Sequence, residues 1–167
     1  LFDGCSNYIG YEPEELLVQG EALAVSVWVA PRAFEWDDPN AAVNGTEHLT
    51  AIAGQYSKEK KQGFLLGYQR YGRLCFQAGT GEEWLTLWAD GENLHKYEWN
   101  HVAAVFDGKS GDMSLYLNGE LAGERSIDTG AAIAPAEKEK LLIGKNANGE
   151  SIAAGSYQMF SGYMDEL

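Results

Sequence analysis

The chain has 167 residues, enough to bury one core without a metal or disulfide to hold it together. Its 45% apolar and 22% charged residues exclude a disordered chain. With 12 Lys and Arg against 25 Asp and Glu, the formal net charge of −13 argues against nucleic acid and anionic membrane surfaces as partners.

Twenty glycines and only four prolines suggest short strands joined by many tight turns. In chain order, Leu23 to Ala30 is β-branched and apolar and ends at Pro31, and Leu49 to Gln55 follows a loop containing Asn44-Gly45. Gly63 to Gln69 and Arg73 to Ala78 flank Tyr71-Gly72, the signature of a hairpin. Trp84 to Ala89 stops at Asp90-Gly91, Trp99 to Phe106 at Asp107-Gly108, and Met113 to Leu117 at Asn118-Gly119. Leu121 to Ile127, Leu141 to Gly144 and Gln158 to Leu167 complete the series.

Several of these runs alternate with period two, as half-buried antiparallel strands do. Met113, Leu115 and Leu117 share one face, whereas Val102 to Asp107 alternates weakly and predicts burial on both sides. Helix is scarce; Pro135 to Lys140 is a short turn or a charged loop. Ten or more strands at this spacing predict an all-β sandwich or barrel. No segment nears the ~20 apolar residues that cross a bilayer. Opening abruptly at Leu1 and stopping at Leu167 inside a strand-like run, residues 1–167 are expected to be one module excised from a larger secreted protein. Cys5 and Cys75 make no metal-ligand spacing and are expected to be free, packed thiols, although an oxidising compartment leaves a disulfide open.

The ordered motifs resemble a known family. LFDGCSNYIGY is similar to the opening strand of laminin-G-like domains, LAVSVWVAP to their following strand, and GFLLGYQRYGRLCFQAG to their central hairpin. YEWNHVAAVFDGKSGDMSLYLNGELAGE carries a Trp-x-His-Val-Ala strand, an Asp-Gly turn and an Asn-Gly hairpin in the family's order, and LLIGKN and FSGYMDEL resemble its closing strands. The resemblance implies a two-sheet antiparallel β-sandwich, a jelly roll of the concanavalin A-like class. Within that class the chain looks most like non-catalytic modules on secreted bacterial glycoside hydrolases, fructan-active enzymes above all. It therefore implies an extracellular or cell-surface carbohydrate-binding module, with a polysaccharide or oligosaccharide as ligand and a covalently linked catalytic domain as partner. The competing expectation is a protein-interaction or adhesion domain of a cell-surface protein.

Candidate binding residues follow from Trp84 to Ala89. Leu85 and Leu87 anchor one face, which turns Trp84 and Trp88 to the other, where exposed indoles are costly unless something packs on them. A sugar ring stacks its C–H face on an indole while amides, carboxylates and guanidinium groups take its hydroxyls; the alternative is that the Trp side is the core, or is covered by a loop from the neighbouring hairpin. Gln69 and Arg73 of the hairpin supply such groups. Trp36 and Asp37, in the acidic loop FEWDDPN, either close over one end of a ligand or fold onto the sandwich edge. Trp28 and Trp99 are assigned to the core, and His101 to a structural role. The resemblance further implies a structural calcium where first and last strands meet, held by Asp165 with backbone carbonyls near Asp3 and Gly4, against the alternative that Asp165 caps a turn or pairs with a Lys. His48, His95 and His101 lack zinc spacing. No Glu-x-Asp-x-Glu triplet, nucleophile elbow or Cys–His pattern supports hydrolysis, so no catalytic residue is expected.

Overall fold

A computed structural model describes residues 1–34, 49–147 and 159–167. Its twelve strands are β1 (Phe2–Asp3), β2 (Ile9–Tyr11), β3 (Ala22–Pro31), β4 (Thr50–Ser57), β5 (Gln62–Tyr68), β6 (Leu74–Thr80), β7 (Trp84–Trp88), β8 (Asn100–Asp107), β9 (Asp112–Leu117), β10 (Glu120–Ser126), β11 (Leu141–Ile143) and β12 (Ser161–Asp165). They form two six-stranded sheets, here A and B, in the orders β1-β12-β3-β8-β9-β10 and β2-β11-β4-β5-β6-β7. Every strand pair is antiparallel. The two-sheet antiparallel sandwich implied by the motifs is the fold observed. LFDGCSNYIGY, however, supplies two short strands, and β1 and β2 belong to different sheets.

The core lies between the layers and follows the period of two. Val27, Val29, Val102, Ala104, Phe106, Met113 and Leu115 of sheet A are fully buried against Ile52, Leu66, Tyr68, Leu74 and Phe76 of sheet B. β8 alternates cleanly between buried and half-exposed positions, so burial on both sides is corrected: Ala103, Val105 and Asp107 face outward. Pro135 to Lys140 forms turns, not helix.

Turn chemistry fixes register. Asn118 and Gly119 both take positive φ (52° and 85°), the geometry of a two-residue hairpin whose twist matches its strands. At the start of β5, a Cβ on Gly63 would sit 1.7 Å from the Gln55 carbonyl oxygen, so only glycine fits this close approach. Gln55 itself is fully buried and satisfied: its amide donates to the Leu16 and Glu139 carbonyls (both 3.0 Å) and its oxygen accepts from Val18 N–H (2.8 Å).

β12 pairs with Trp28 to Pro31 of β3. Below that point Leu23 and Val25 are half-exposed. They border a cleft of about 310 Å³ between the sheets, shared with Phe64, Leu141 and Ile143.

Candidate functional site

Leu85 and Leu87 enter the core at 5% exposure each, which turns Trp84, Thr86 and Trp88 onto the outer face of β7. That face also carries a second apolar layer. Leu49, Ala51, Tyr56, Leu65 and Cys75 are buried on the side of sheet B away from the main core, and the half-buried Trp84 and Trp88 pack against them. The rings are fixed in place. Trp84 donates its indole N–H to Gln77 Oε1 (3.2 Å) and lies 5.7 Å from the Tyr56 ring. The Arg73 guanidinium sits 5.3 Å over the Trp88 ring, donates Nε–H to the Ala89 carbonyl (2.8 Å) and pairs with Asp90 (3.2 Å). This exposed ion pair adds little to stability, but with the cation–π contact it holds the guanidinium beside the indole.

Trp84 and Trp88 lie four residues apart, about 13 Å along the strand. The face therefore offers two aromatic surfaces, one beside an amide and the other beside a guanidinium. Below it, Tyr56 O–H donates to Asn146, whose amide donates to the Leu49 carbonyl (2.8 Å). Burial pushes the Cys75 thiol up to about 12, so it stays neutral and acts as packing. Cys5 is exposed and Cys75 buried, and both are free, which corrects the expectation that both are packed.

Arg73 therefore stands where the hairpin motif predicts. Gln69 opens the 3-10 turn Arg70–Gly72 and donates its backbone N–H to the Arg73 carbonyl (2.9 Å), at the same end of the hairpin. Tyr68, next to Gln69, is fully buried in the core. Trp36 and Asp37 lie outside the described residues. Tyr56, Leu65, Cys75 and Gln77 were missed. The signal for the first three was adjacent apolar residues in LTAIAGQY, FLL and LCF, a pattern of burial on both faces.

The residues named for calcium do not converge. Asp3 pairs with Ser161, so Asp165 lies four residues, about 13 Å, further along β12. The Asp3 carboxylate instead accepts the backbone N–H groups of Cys5, Ser6 and Asn7 and the Ser6 hydroxyl. These bonds hold it well below the usual carboxylate range. Asp165 accepts from Glu166 N–H (2.9 Å). This pair does not fit a calcium site, and among the described residues no group of three His, Cys, Asp or Glu is placed to hold a metal.

Trp28 and Trp99 are not core residues. They are 38% and 52% exposed on the outer face of sheet A, where Trp28 lies 5.0 Å from the His101 ring and Trp99 6.3 Å from Tyr163. His101 Nε2 lies 2.9 Å from Ser26 Oγ.

Fold and aromatic faces together define a lectin-like β-sandwich. The family described as the concanavalin A-like lectin/glucanases superfamily matches residues 3–167, and the chain belongs to it. No curated protein gives a significant match. Among solved structures the chain is similar to domains LG4-5 of the mouse laminin alpha1 chain (TM-score 0.60, 15% identity, covering 98% of this chain and 38% of that one). It is also similar to domain 4 of a GH43 extracellular arabinanase from Geobacillus stearothermophilus in complex with arabinotriose (TM-score 0.52, 21% identity, 89% and 59%). A third is the CBM40 of Ruminococcus gnavus IT-sialidase bound to alpha2,3 sialyllactose (TM-score 0.59, 16% identity, 95% and 83%). The chain thus spans less than two thirds of the laminin and arabinanase chains. Among the described residues no helix is long and apolar enough to cross a membrane.

Proposed function

We propose that this chain is a non-catalytic carbohydrate-binding module that stacks a saccharide on Trp84 and Trp88. The observation that carries this reading is the orientation of β7: two half-exposed indoles share the outer face, each fixed beside a hydrogen-bonding partner, Gln77 or Arg73. Such rings present an apolar plane without a further ordering cost, and their polar neighbours can grip hydroxyls at the sugar edge. The arabinotriose and sialyllactose bound by two proteins of this fold support the ligand class. In the same reading the module is extracellular and serves an attached glycoside hydrolase. Fructan is the first polysaccharide to test, on the resemblance of the sequence motifs.

Binding to levan, inulin, arabinan and sialyllactose, with and without EDTA, tests this. Trp84→Ala with Trp88→Ala is expected to weaken binding about 30-fold or more, as loss of an aromatic anchor worth ~2 kcal/mol does. Equal binding by a folded double variant would refute the platform.

A further inference from the structure

The opposite side of the sandwich carries a second set of exposed rings. Val27 and Val29 are fully buried, so Trp28 between them points outward, as does His101 beside the buried Val102. The register places Asp165, Trp28 and His101 in one row across β12, β3 and β8. In the next row Tyr163 stands opposite Ala30, and continuing the β3–β8 register puts Trp99 on its other side. The Tyr163 and Trp99 rings close to 6.3 Å over the buried Ala30, beside Trp28. Trp28, Trp99 and Tyr163 are 38%, 52% and 48% exposed. Beside them the outward positions of β3 and β8 include Ala24, Ser26 and Ala103, with Val105 further along β8 and Tyr116 of β9 opposite Ala103.

Charge narrows what this face can take. On β12, β3, β8 and β9 the outward positions carry Asp165, Asp107 and Asp112, and no residue of these four strands is Lys or Arg; the exposed Arg32 follows β3 directly. Along these strands an anionic ligand would meet like charge; a neutral one with hydroxyl groups meets stacking planes edged by a carboxylate, an imidazole and a serine hydroxyl. An open face with rings spread over several strands suits an extended chain better than a cupped terminal sugar. We infer that the outer face of β12, β3 and β8 is a second saccharide-binding surface, for a neutral extended polysaccharide, which makes the module bivalent. The inference rests on the proposed function only for the class of ligand.

Calorimetry with a neutral oligosaccharide, paired with retention on the matching insoluble polysaccharide, separates the two. Three proteins are compared with the wild-type chain: Trp84→Ala/Trp88→Ala, Trp28→Ala/Trp99→Ala, and Trp99→Gln/Tyr163→Ser, the last touching only the two most exposed rings in case removal of Trp28 disturbs the sheet. Two ligands per wild-type chain are expected, falling to one in each variant, with retention reduced roughly tenfold or more when either platform is lost, because linked sites act as avidity. One ligand per wild-type chain, lost only with Trp84 and Trp88, would overturn the second surface and leave the proposed function standing. Loss only with the sheet A variants would keep this surface and remove the other. Binding to no saccharide, or capture of a protein by this face in its place, would overturn both or this inference alone, respectively.

Discussion

The two outer faces present indoles in opposite ways. On sheet B, Trp84 and Trp88 ride on a second apolar layer of Tyr56, Leu65 and Cys75, and their polar neighbours are already engaged. On sheet A, Trp28 and Trp99 stand on small residues and touch mainly each other's neighbours, His101 and Tyr163. The first arrangement gives orientation and local rigidity; the second gives area on an open face. The difference teaches that an exposed ring is informative only together with what lies beneath it.

Breaking the layer under one face should cost the most. Leu65→Ala is expected to destabilise the chain by about 2–5 kcal/mol, the range for an aliphatic side chain removed from a close-packed site. Trp99→Ala should cost under ~1 kcal/mol, as exposed positions do. Urea unfolding with unchanged slope measures both. Equal losses would mean that the two faces are built alike.

Thiol chemistry sharpens the contrast next. Cys5 should react with a maleimide at once, while Cys75, buried and held neutral by its raised pKa of about 12, should react only as the chain unfolds. Mass spectrometry showing both modified at the same rate would mean that the layer beneath Trp84 and Trp88 is open.

Acid should produce the smallest effect, confined to sheet A. Asp3 in β1 and Asp107 in β8 are both depressed from an ordinary value of 3.8, Asp3 by its Ser6, Cys5 and Asn7 hydrogen bonds and Asp107 by the Ser110 and Lys109 amides. A lowered folded pKa contributes stability that is present above the unfolded value and lost as pH falls below it. The thermal midpoint should therefore decline below about pH 4, with amide exchange rising first at the turns after β1 and β8. Asp107→Asn should blunt that decline, and a pH profile unchanged by it would assign the loss elsewhere.

Much of this was legible in the sequence. The β8–β9–β10 unit could be read because its turns, Asp107-Gly108 and Asn118-Gly119, mark its strands and Met113, Leu115 and Leu117 alternate between them, although β8 itself looked only weakly alternating. The burial of Leu85 and Leu87 decides the side of Trp84 and Trp88. The same rule, applied to LAVSVWVA, puts Val25, Val27 and Val29 together and Trp28 with Ser26 outside; assigning Trp28 to the core set the resemblance to a packed strand above period. GFLLGYQ likewise puts Tyr68 with Phe64 and Leu66 in the core. The second apolar layer was hidden because it assembles from β4, β5, β6 and β7, and no single run announces it. Calcium ligands at Asp3 and Asp165 foundered on distance along β12, which only a register supplies.

The close approach at Gly63 has a consequence for engineering the protein. A Cβ there would meet the Gln55 carbonyl oxygen at 1.7 Å, and its φ is 79°, so exchange for alanine, elsewhere a route to a stiffer chain, would here push β4 and β5 apart. Any attempt to toughen the module for hot or prolonged use has to leave this position alone.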